Sequence, residues 1–463
     1  MWTPRLAASD KPVFQLIADA MEADIAAERL KPGDQLPTHR ALAQQLKLTV
    51  RTVTRAYSEA ERRGLTEGQI GRGTFVRTGA TAARREPAAS GTEPRVVDLS
   101  SSAPPASIAA ESLAEALRAL SRRGGLDRLV GYPPGIGQAR HRAAGAAWLA
   151  RGDWKPAPEQ VALCVGAQHG LLVALGALGG PRRVVLTEAL GYPGIRRAAE
   201  LLHLDVQGVP IDDQGMRPDA LEALIRKMRP AAVVVTPTAH NPTCSTMPEP
   251  RRLALAKVLN ATGVTLIEDD LLSPLAGHGL PLLVQLVEGR SFYIGGTSKC
   301  IAPGLRIAFL VARAEDMPHV AASIYASAVS APPLMAEIAT LWIENGTAGR
   351  HLEWHRQEAQ ERVGIARQSL AGLAFRAQAG CYHIWLLLPE SCRVNELVAQ
   401  AAAHGVVVTP AAAFAIGGPD VPSTPNAVRI GLGATQSQRD LATALKTLAG
   451  LTRAGAAEGW RIV

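Results

Sequence analysis

Apolar residues near the start of the chain recur at the spacing of an α-helix. The first such stretch covers residues 11–29, and a second helix is predicted after Thr38, which can serve as its N-cap. Thr49 can cap a third helix. One face of that helix would be buried, because an apolar stripe runs along it through Val53, Ala56, Tyr57 and Ala60.

Two short strands are predicted after the third helix. They cover residues 65–67 and 73–77, and the glycines between them permit a tight turn. Three helices followed by such a wing predict a winged helix-turn-helix, whose third helix enters the major groove of DNA. Helical spacing would expose Arg51 and Arg55 on that helix. A small helical module that binds another protein would show a similar pattern.

The rest of the chain divides into a tether and a large α/β part. Residues 78–96 lack a hydrophobic period and are rich in small residues, charged residues and proline, which predicts a flexible tether. From residue 97 onward, apolar runs alternate with helical segments, which predicts an α/β domain with a mainly parallel sheet. The predicted strands are residues 161–165, 184–186, 232–235, 264–267, 291–294 and 307–311.

Composition adds limits to this architecture. A length of 463 residues with 47% hydrophobic residues is sufficient for several domains with sizeable cores. The net charge of +8 permits contact with nucleic acid without establishing it. Five scattered cysteines without a C-x-x-C pair argue against a disulfide framework or a zinc site. Neither a signal peptide nor a membrane span is evident, so we expect a cytoplasmic protein.

Candidate chemistry begins between the last two predicted strands, where Lys299 and Arg306 lie. A lysine at the end of a strand can act as a Schiff-base nucleophile if its surroundings lower its pKa. An arginine beyond a Pro-Gly turn could bind a phosphate group. Taken alone, this stretch is more typical of a solvated lysine on a loop and a surface arginine.

Other candidate residues follow the earlier strands, where ligands of parallel sheets gather. Residues 166–170 open a helix whose N-terminus could bind an anion. Tyr192 could stack on a planar ring, and Asn241 could direct its amide into the cleft because Pro242 keeps it out of a helix. Each feature also has an ordinary structural explanation.

Three successive acids, Glu268, Asp269 and Asp270, end the fourth strand. Buried carboxylates are costly unless they pair with a cation, a metal or a protonated heterocycle. A Mg²⁺ site is one alternative, although no further acidic partner lies nearby in sequence. Together with Lys299 and Arg306, the pattern favours a pocket for pyridoxal 5'-phosphate (PLP) and no metal, with a carboxylate that keeps the pyridine nitrogen protonated.

The N-terminal part resembles the DNA-binding domain of GntR-type bacterial regulators, on residues 31–43, 49–57 and 71–76. Thr49-Val50 stand where such proteins often have Ser-Arg, so the resemblance does not carry over an operator sequence. It does imply DNA contacts from a set of residues on the second helix, the third helix and the wing. These are Arg40, Thr49, Arg51, Thr52, Arg55, Gly71, Arg72, Gly73 and Thr74.

Residues 97–450 resemble fold-type I, aspartate-aminotransferase-like enzymes. The resemblance rests on the ordered motifs Gly-Ala-Gln, Tyr-Pro-Gly, Asn-Pro-Thr, Glu-Asp-Asp and Ser-Lys-x-x-x-Pro-Gly-Leu-Arg. It implies that Lys299 is the Schiff-base lysine, Asp269 the pyridinium partner and Arg429 the partner of an α-carboxylate. The other implied cofactor contacts are Asn241, Tyr192, Ala167, Gln168, Ser298 and Arg306.

Three departures from the pattern of these enzymes concern the cofactor. Leu271 and Leu272 replace a tyrosine that donates to the ring hydroxyl, and Gly296 replaces a serine or threonine. Residues 130–135 replace a Tyr-Gly-Asp-Pro-type loop that reaches the partner subunit. Losing one such hydrogen bond costs about 1 kcal/mol, so we expect cofactor binding to survive and catalytic tuning to change.

The complete arrangement resembles that of the MocR subfamily of GntR regulators. It comprises a winged helix (1–77), a tether (78–96) and a fold-type I PLP domain (97–463), with a smaller C-terminal α+β subdomain from about residue 340. It implies a homodimeric transcriptional regulator that binds double-stranded DNA and senses PLP, an amino acid or an amine. An active aminotransferase with a DNA-binding head, or a dimer with an inert enzyme-like scaffold, are the alternatives.

Overall fold

The computed structural model divides the chain into two compact units, residues 1–93 and 94–463, and each is described by itself. Gly71, Arg72 and residues 77–95 of the predicted wing and tether lie outside the described residues. The residues that the structure describes are 2–4, 12–27, 29–31, 33–62, 65–69, 73–76, 96–105, 108–277, 279–418, 421, 423–435 and 437–458.

The first unit contains the three helices and the two-stranded wing that the sequence predicts. Its elements are α1 (Val13–Ala26), α2 (His39–Leu46), α3 (Val50–Arg62), β1 (Thr66–Gln69) and β2 (Gly73–Val76). The hydroxyl of Thr38 accepts from the amide of Ala41, and that of Thr49 from the amide of Thr52, each at 3.2 Å. Both predicted caps therefore satisfy amides that a first helical turn leaves unpaired.

The turn-rich segment before α2 also pairs with the wing. The amide of Leu36 donates to the Thr74 carbonyl, and the amide of Val76 donates to the Asp34 carbonyl, both at 2.9 Å. The buried hydroxyl of Tyr57 on α3 donates to the Pro37 carbonyl at 2.7 Å. The segment therefore joins the wing to the helical core, which its turn residues alone did not predict.

The second unit alternates helices and strands. Its helices are α4 (Ala109–Arg123), α5 (Asp127–Val130), α6 (Ala139–Leu149), α7 (Ala167–Gly176), α8 (Pro193–Leu201), α9 (Pro218–Met228), α10 (Glu249–Thr262), α11 (Ser273–Ala276), α12 (Leu283–Leu286), α13 (Met317–Ala328), α14 (Pro333–Glu344), α15 (Thr347–Ser369), α16 (Val394–Ala403) and α17 (Gln438–Glu458). Its strands are β3 (Val97–Asp98), β4 (Val161–Val165), β5 (Val184–Glu188), β6 (Asp205–Val209), β7 (Ile211–Asp212), β8 (Gly215–Met216), β9 (Ala232–Val235), β10 (Thr265–Asp269), β11 (Ser291–Gly296), β12 (Ile307–Ala312), β13 (Phe375–Ala377), β14 (His383–Leu387), β15 (Val406–Val407), β16 (Thr409–Pro410) and β17 (Ala427–Gly431).

A seven-stranded sheet forms the centre of this unit, in the order β4-β12-β11-β10-β9-β5-β6. Strand β12 is antiparallel to both of its neighbours, and the other pairs are parallel. The predicted mainly parallel sheet is therefore confirmed. Strand β10 ends two residues later than predicted, so that Asp269 is its last residue.

A second, antiparallel sheet has the order β13-β14-β17-β16. Its apolar residues share a core with α15, α16 and α17. The short strand β3 pairs in parallel with β15 beside this sheet, so the chain enters the second unit along this smaller layer. Within the described residues, no helix has the length and apolar character needed to cross a membrane.

Candidate functional site

A cavity of ≈ 210 Å³ lies where β9, β10 and β11 end. Its lining comes from six separate stretches of the chain, as expected at the carboxyl edge of a parallel sheet. All eight cofactor contacts that the sequence suggested line this cavity. They are Ala167, Gln168, Tyr192, Asn241, Asp269, Ser298, Lys299 and Arg306.

Lys299 is half-buried, and its ammonium donates to the Ser102 carbonyl at 2.9 Å. Burial and the nearby charge of Arg429 lower its pKa from 10.5 to about 8, although Asp269 opposes the change. A lysine with this pKa exposes a usable fraction of neutral amine near neutral pH. Lys299 thus has the property that a Schiff-base nucleophile requires.

The three acids at the end of β10 have three different environments. Glu268 accepts hydrogen bonds from two backbone amides at the start of α12, at 3.2 and 2.8 Å. Asp270 pairs with Arg151 at 2.8 Å. Only Asp269 lines the cavity. The three carboxylates therefore do not converge, and the Mg²⁺ alternative has no geometric support among these acids.

Asp269 is a buried carboxylic acid, with 8% of its surface exposed. Burial, together with repulsion from Asp270, raises its pKa from 3.8 to about 7. Its ionised form is therefore costly unless a cation approaches from the cavity. A protonated ring nitrogen is a cation of the required kind.

One end of the cavity has groups suited to a phosphate. Gly166 caps α7 at a φ of +75°, and a Cβ there would lie only 2.5 Å from a guanidinium nitrogen of Arg306. Glycine is thus what allows Arg306 to lie against the N-terminus of α7, where helix amides favour anions. Gln168 donates to the Gly194 carbonyl at 2.9 Å. Its buried Oε1 has no partner among the described residues.

The other end has groups suited to a ring. The Oδ1 of Asn241 accepts from Arg429 at 2.9 Å, which leaves the amide NH₂ free to donate into the cavity. Tyr192 is 37% exposed and lines the same space. Burial and the charge of Asp269 raise its pKa. The predicted Pro-Gly turn after Tyr192 is in fact the first turn of α8, because proline is well suited to that position.

Arg429 lies on β17 beside the cavity and is almost fully buried. It donates to Asn241 and to the Ser100 carbonyl, and its guanidinium stands 4.7 Å from the centre of the Phe414 ring. No carboxylate among the described residues forms an ion pair with it. Burial lowers its pKa to about 10. An incoming carboxylate would supply the negative charge that this site lacks.

Two departures from the expected cofactor site prove to be neighbours in space. A Cβ at Gly296 would stand 3.0 Å from the Leu271 side chain and 3.3 Å from Ala308. A residue with a hydroxyl at position 296 therefore requires a smaller or shifted side chain at position 271. Leu271 and Leu272 together form an apolar wall of the cavity. Nothing in the sequence alone links these two positions.

Several lining residues were missed by the sequence analysis. They are Ser102, Ala103, Pro104, Leu171, Thr236, Thr238 and Pro303. Thr236 and Thr238 follow β9 directly, so the rule that ligands gather at strand ends could have found them. Ser102 to Pro104 lie outside any helix or sheet strand, and no periodic signal marks them.

The predicted DNA-contacting residues that the structure describes lie around the start of α3 and on the wing. Arg40, Thr49 and Arg51 are exposed, and Thr49 shares a hydroxyl–hydroxyl bond of 2.8 Å with the half-buried Thr52. Arg55 is exposed as predicted, but its guanidinium lies 4.2 Å from the Phe14 ring of α1. Gly73 and Thr74 begin β2.

Comparisons with known proteins agree with both units. The family model for aminotransferases of class I and II matches residues 94–448, and that for bacterial regulatory proteins of the gntR family matches residues 15–76. The HTH-type transcriptional regulator YdeF of Bacillus subtilis is 26% identical over 449 residues, covering 96% of each chain. The HTH-type pyridoxine biosynthesis transcriptional regulator PdxR of Corynebacterium glutamicum is 30% identical, covering 62% of this chain and 63% of PdxR.

Among solved structures, an archaeal alanine:glyoxylate aminotransferase matches with a TM-score of 0.70 and 25% identity. The match covers 78% of this chain and 91% of the enzyme. The predicted combination of a GntR-type winged helix with a fold-type I domain is therefore confirmed. The aminotransferases of class I and II depend on PLP.

Proposed function

The chain belongs to the family of class I and II aminotransferases and carries a gntR-family domain ahead of it, the arrangement of MocR regulators. From this premise we propose that it is a PLP-dependent, DNA-binding transcriptional regulator. The proposal rests on one observation: Lys299, Asp269 and the groups suited to a phosphate all line the same cavity. Gel-shift binding to DNA upstream of its own gene, with and without PLP, tests it. Identical binding curves would contradict it.

The residues of the cavity fit PLP at both of its charged ends. Arg306, Ser298 and the first amides of α7 would hold the phosphate, while Asp269 would hold the ring nitrogen in its protonated form. When bound, PLP supplies an aldehyde and a ring that withdraws electrons. The Asn241 amide would donate to the ring hydroxyl. The neutral amine of Lys299 would be the attachment point.

An amino acid is the effector that the remaining groups favour. The guanidinium of Arg429 is the group that would bind its α-carboxylate. The wall beside Lys299 is apolar, because Leu171, Leu271 and Leu272 line it. A neutral side chain or a simple amine suits this wall better than a second charge.

A homodimer is part of the proposal. Val130 and Tyr132, in the loop that replaces the partner-reaching motif, are 87% and 92% exposed. This loop lies close to the end of α13. A Cβ added at Gly135 would lie 3.5 Å from the carbonyl oxygen of Val329, which follows that helix. Tyr325 on α13 is also exposed. A second copy of the chain would cover this apolar surface.

The pKa of Lys299 predicts how PLP uptake depends on pH. Because the folded-state pKa is about 8, the fraction of neutral amine rises as the pH rises through that value. The uptake rate of cofactor-free protein should therefore increase with pH and level off above pH 8. Rapid-mixing absorbance measurements over a range of pH test this. A rate that keeps rising towards the pKa of free lysine, about 10.4, would contradict it.

The DNA-binding role predicts the effect of changing Arg51. The variant Arg51→Ala should weaken binding to the upstream DNA by about tenfold or more, because it removes an exposed cation at the start of α3. Titrations at several salt concentrations measure the affinity. Arg29→Ala is the control, since it also removes one exposed arginine, from the segment after α1, where Arg29 pairs with Asp24. Equal losses in the two variants would contradict a specific role for Arg51.

A working aminotransferase remains the second candidate, because Lys299, Asp269 and Arg429 are all in place around one site. The apolar Leu271 and Leu272 stand where a ring-tuning tyrosine would be, which argues against efficient turnover. Repeated formation of pyridoxamine phosphate from an amino acid, with return on a keto acid, would favour the enzyme. Absence of any PLP absorbance would favour a purely structural scaffold.

A further inference from the structure

The chain enters the second unit through a segment that lies across the cofactor cavity. We call residues 97–104 the strap. Strand β3 at its start pairs with β15, and the amide of Leu99 donates to the Val407 carbonyl at 2.8 Å. The amide of Gly431 donates back to the Leu99 carbonyl at 2.7 Å. Ser102, Ala103 and Pro104 then form part of the cavity wall.

Two backbone carbonyls of the strap accept hydrogen bonds from Lys299 and Arg429, the two cationic side chains that the proposed ligand would bind. Arg429 donates to the Ser100 carbonyl, and Lys299 donates to the Ser102 carbonyl at 2.9 Å. The hydroxyl of Thr409 also donates to the Ser100 carbonyl, at 3.0 Å. The strap thus occupies the hydrogen-bonding position that an α-carboxylate would take on Arg429.

Two glycines at the end of β17 make this close approach possible. A Cβ at Gly431 would stand 1.8 Å from the Ser101 carbonyl oxygen, and one at Gly433 would stand 2.1 Å from that of Ala103. Neither glycine has a positive φ, so an alanine would be conformationally acceptable there. The lack of a side chain at these positions therefore serves the contact with the strap.

We propose that the strap is a ligand-displaced latch, in which the Ser100 carbonyl competes with a ligand carboxylate for Arg429. An ionised carboxylate is the stronger acceptor and can take both guanidinium nitrogens at once. Because the strap directly follows the tether in the chain, its release moves the point from which the DNA-binding unit is tethered. The latch rests on the proposed function and extends it, because it assigns the segment through which ligand binding would affect DNA binding.

Two probes separate the carboxylate from the rest of the ligand. N-(5'-phosphopyridoxyl)-L-alanine carries ring, phosphate, amine and α-carboxylate, whereas pyridoxamine 5'-phosphate lacks only the α-carbon with its methyl and carboxylate groups. Hydrogen–deuterium exchange of the full chain is measured at the amides of Val97, Leu99 and Gly431. The first probe should accelerate their exchange roughly tenfold or more relative to the second, because one charge-assisted hydrogen bond to the strap is lost.

Variants of residues that contact the strap provide an independent test. Gly433→Ala should raise exchange in the strap without any ligand and should tighten binding of the alanine adduct. Thr409→Val should also raise exchange in the strap and tighten binding of the alanine adduct, to a smaller extent. If the Gly433→Ala protein does not fold, this second variant still tests the latch. Gly450→Ala is the matched control, since a Cβ there meets nothing within 4 Å.

The outcomes distinguish the latch from the proposed function. Calorimetric binding of both probes with equal exchange in the strap would overturn the latch and leave the PLP site intact. Slower exchange with the alanine adduct would also overturn it, because the strap would then close over the ligand. Binding of neither probe would overturn the proposed cofactor site and the latch with it.

Discussion

Replacing Lys299 with alanine should abolish covalent PLP attachment and, with it, the response of DNA binding to PLP. The reason is that Lys299 is the only lysine among the described residues that lines the cavity. Borohydride treatment, which traps a Schiff base, should add the mass of the reduced cofactor to the Lys299 peptide of the native chain. The variant should show no such adduct, and its gel shifts with and without PLP should coincide.

The fold should tolerate this change. Burial lowers the pKa of Lys299 to about 8, so below that pH the folded chain carries a buried charge that costs stability, and alanine removes this cost. Lys257→Ala on the exposed side of α10 is the matched control and should retain both the adduct and the PLP response. A Lys299→Ala protein that still changes its DNA affinity with PLP would contradict a regulatory role for the attachment.

Asp269→Asn should have two large effects of opposite sign. It should weaken PLP binding roughly a hundredfold or more, because breaking a buried charge pair costs about 3–5 kcal/mol. It should also stabilise the cofactor-free protein at pH 8, by a few kcal/mol, because it removes a buried carboxylate that is costly to ionise. Equilibrium dialysis measures the first effect, and urea unfolding of the cofactor-free second unit measures the second.

The pH dependence gives this second effect its sign. The folded-state pKa of Asp269 is about 7, above the ordinary value of 3.8. The native group therefore contributes full stability below about pH 4 and loses it as the pH rises through 7. Asparagine undergoes no such loss, so the stability gap between variant and native chain should open over that window.

Asp153→Asn, at an exposed turn, controls for the loss of one negative charge. It should leave both the PLP affinity and the stability at pH 8 close to those of the native chain. If Asp269→Asn is less stable than the native chain at pH 8, other groups of the protein must already stabilise the ionised carboxylate without the cofactor. That result would contradict the proposal that Asp269 binds a protonated ring nitrogen.

Features that depend on local patterns were predictable from the sequence. The helix starts at Thr38 and Thr49 follow from the chemistry of hydroxyl caps, and the wing follows from two short strands joined across glycines. The predicted cofactor contacts converge because the carboxyl ends of parallel strands share one edge of a sheet. Each motif is weak alone, and their order along the chain makes the set specific.

Features that depend on contacts between distant residues were not predictable in this way. Three consecutive acids have identical local signals, yet only Asp269 faces the cavity, because α12 and Arg151 satisfy its neighbours. Likewise, the sequence does not show that the Leu271 side chain fills the space beside Gly296.

The sequence by itself therefore determined the winged helix, the α/β class and the set of residues that could hold PLP. Those conclusions rest on periodicity, capping and strand ends, which act over a few residues. Only the tertiary structure decided which acid is left unpaired, and that the carbonyls of Ser100 and Ser102 contact Arg429 and Lys299. Such contacts join residues about two or three hundred positions apart, and burial gives them their energetic weight.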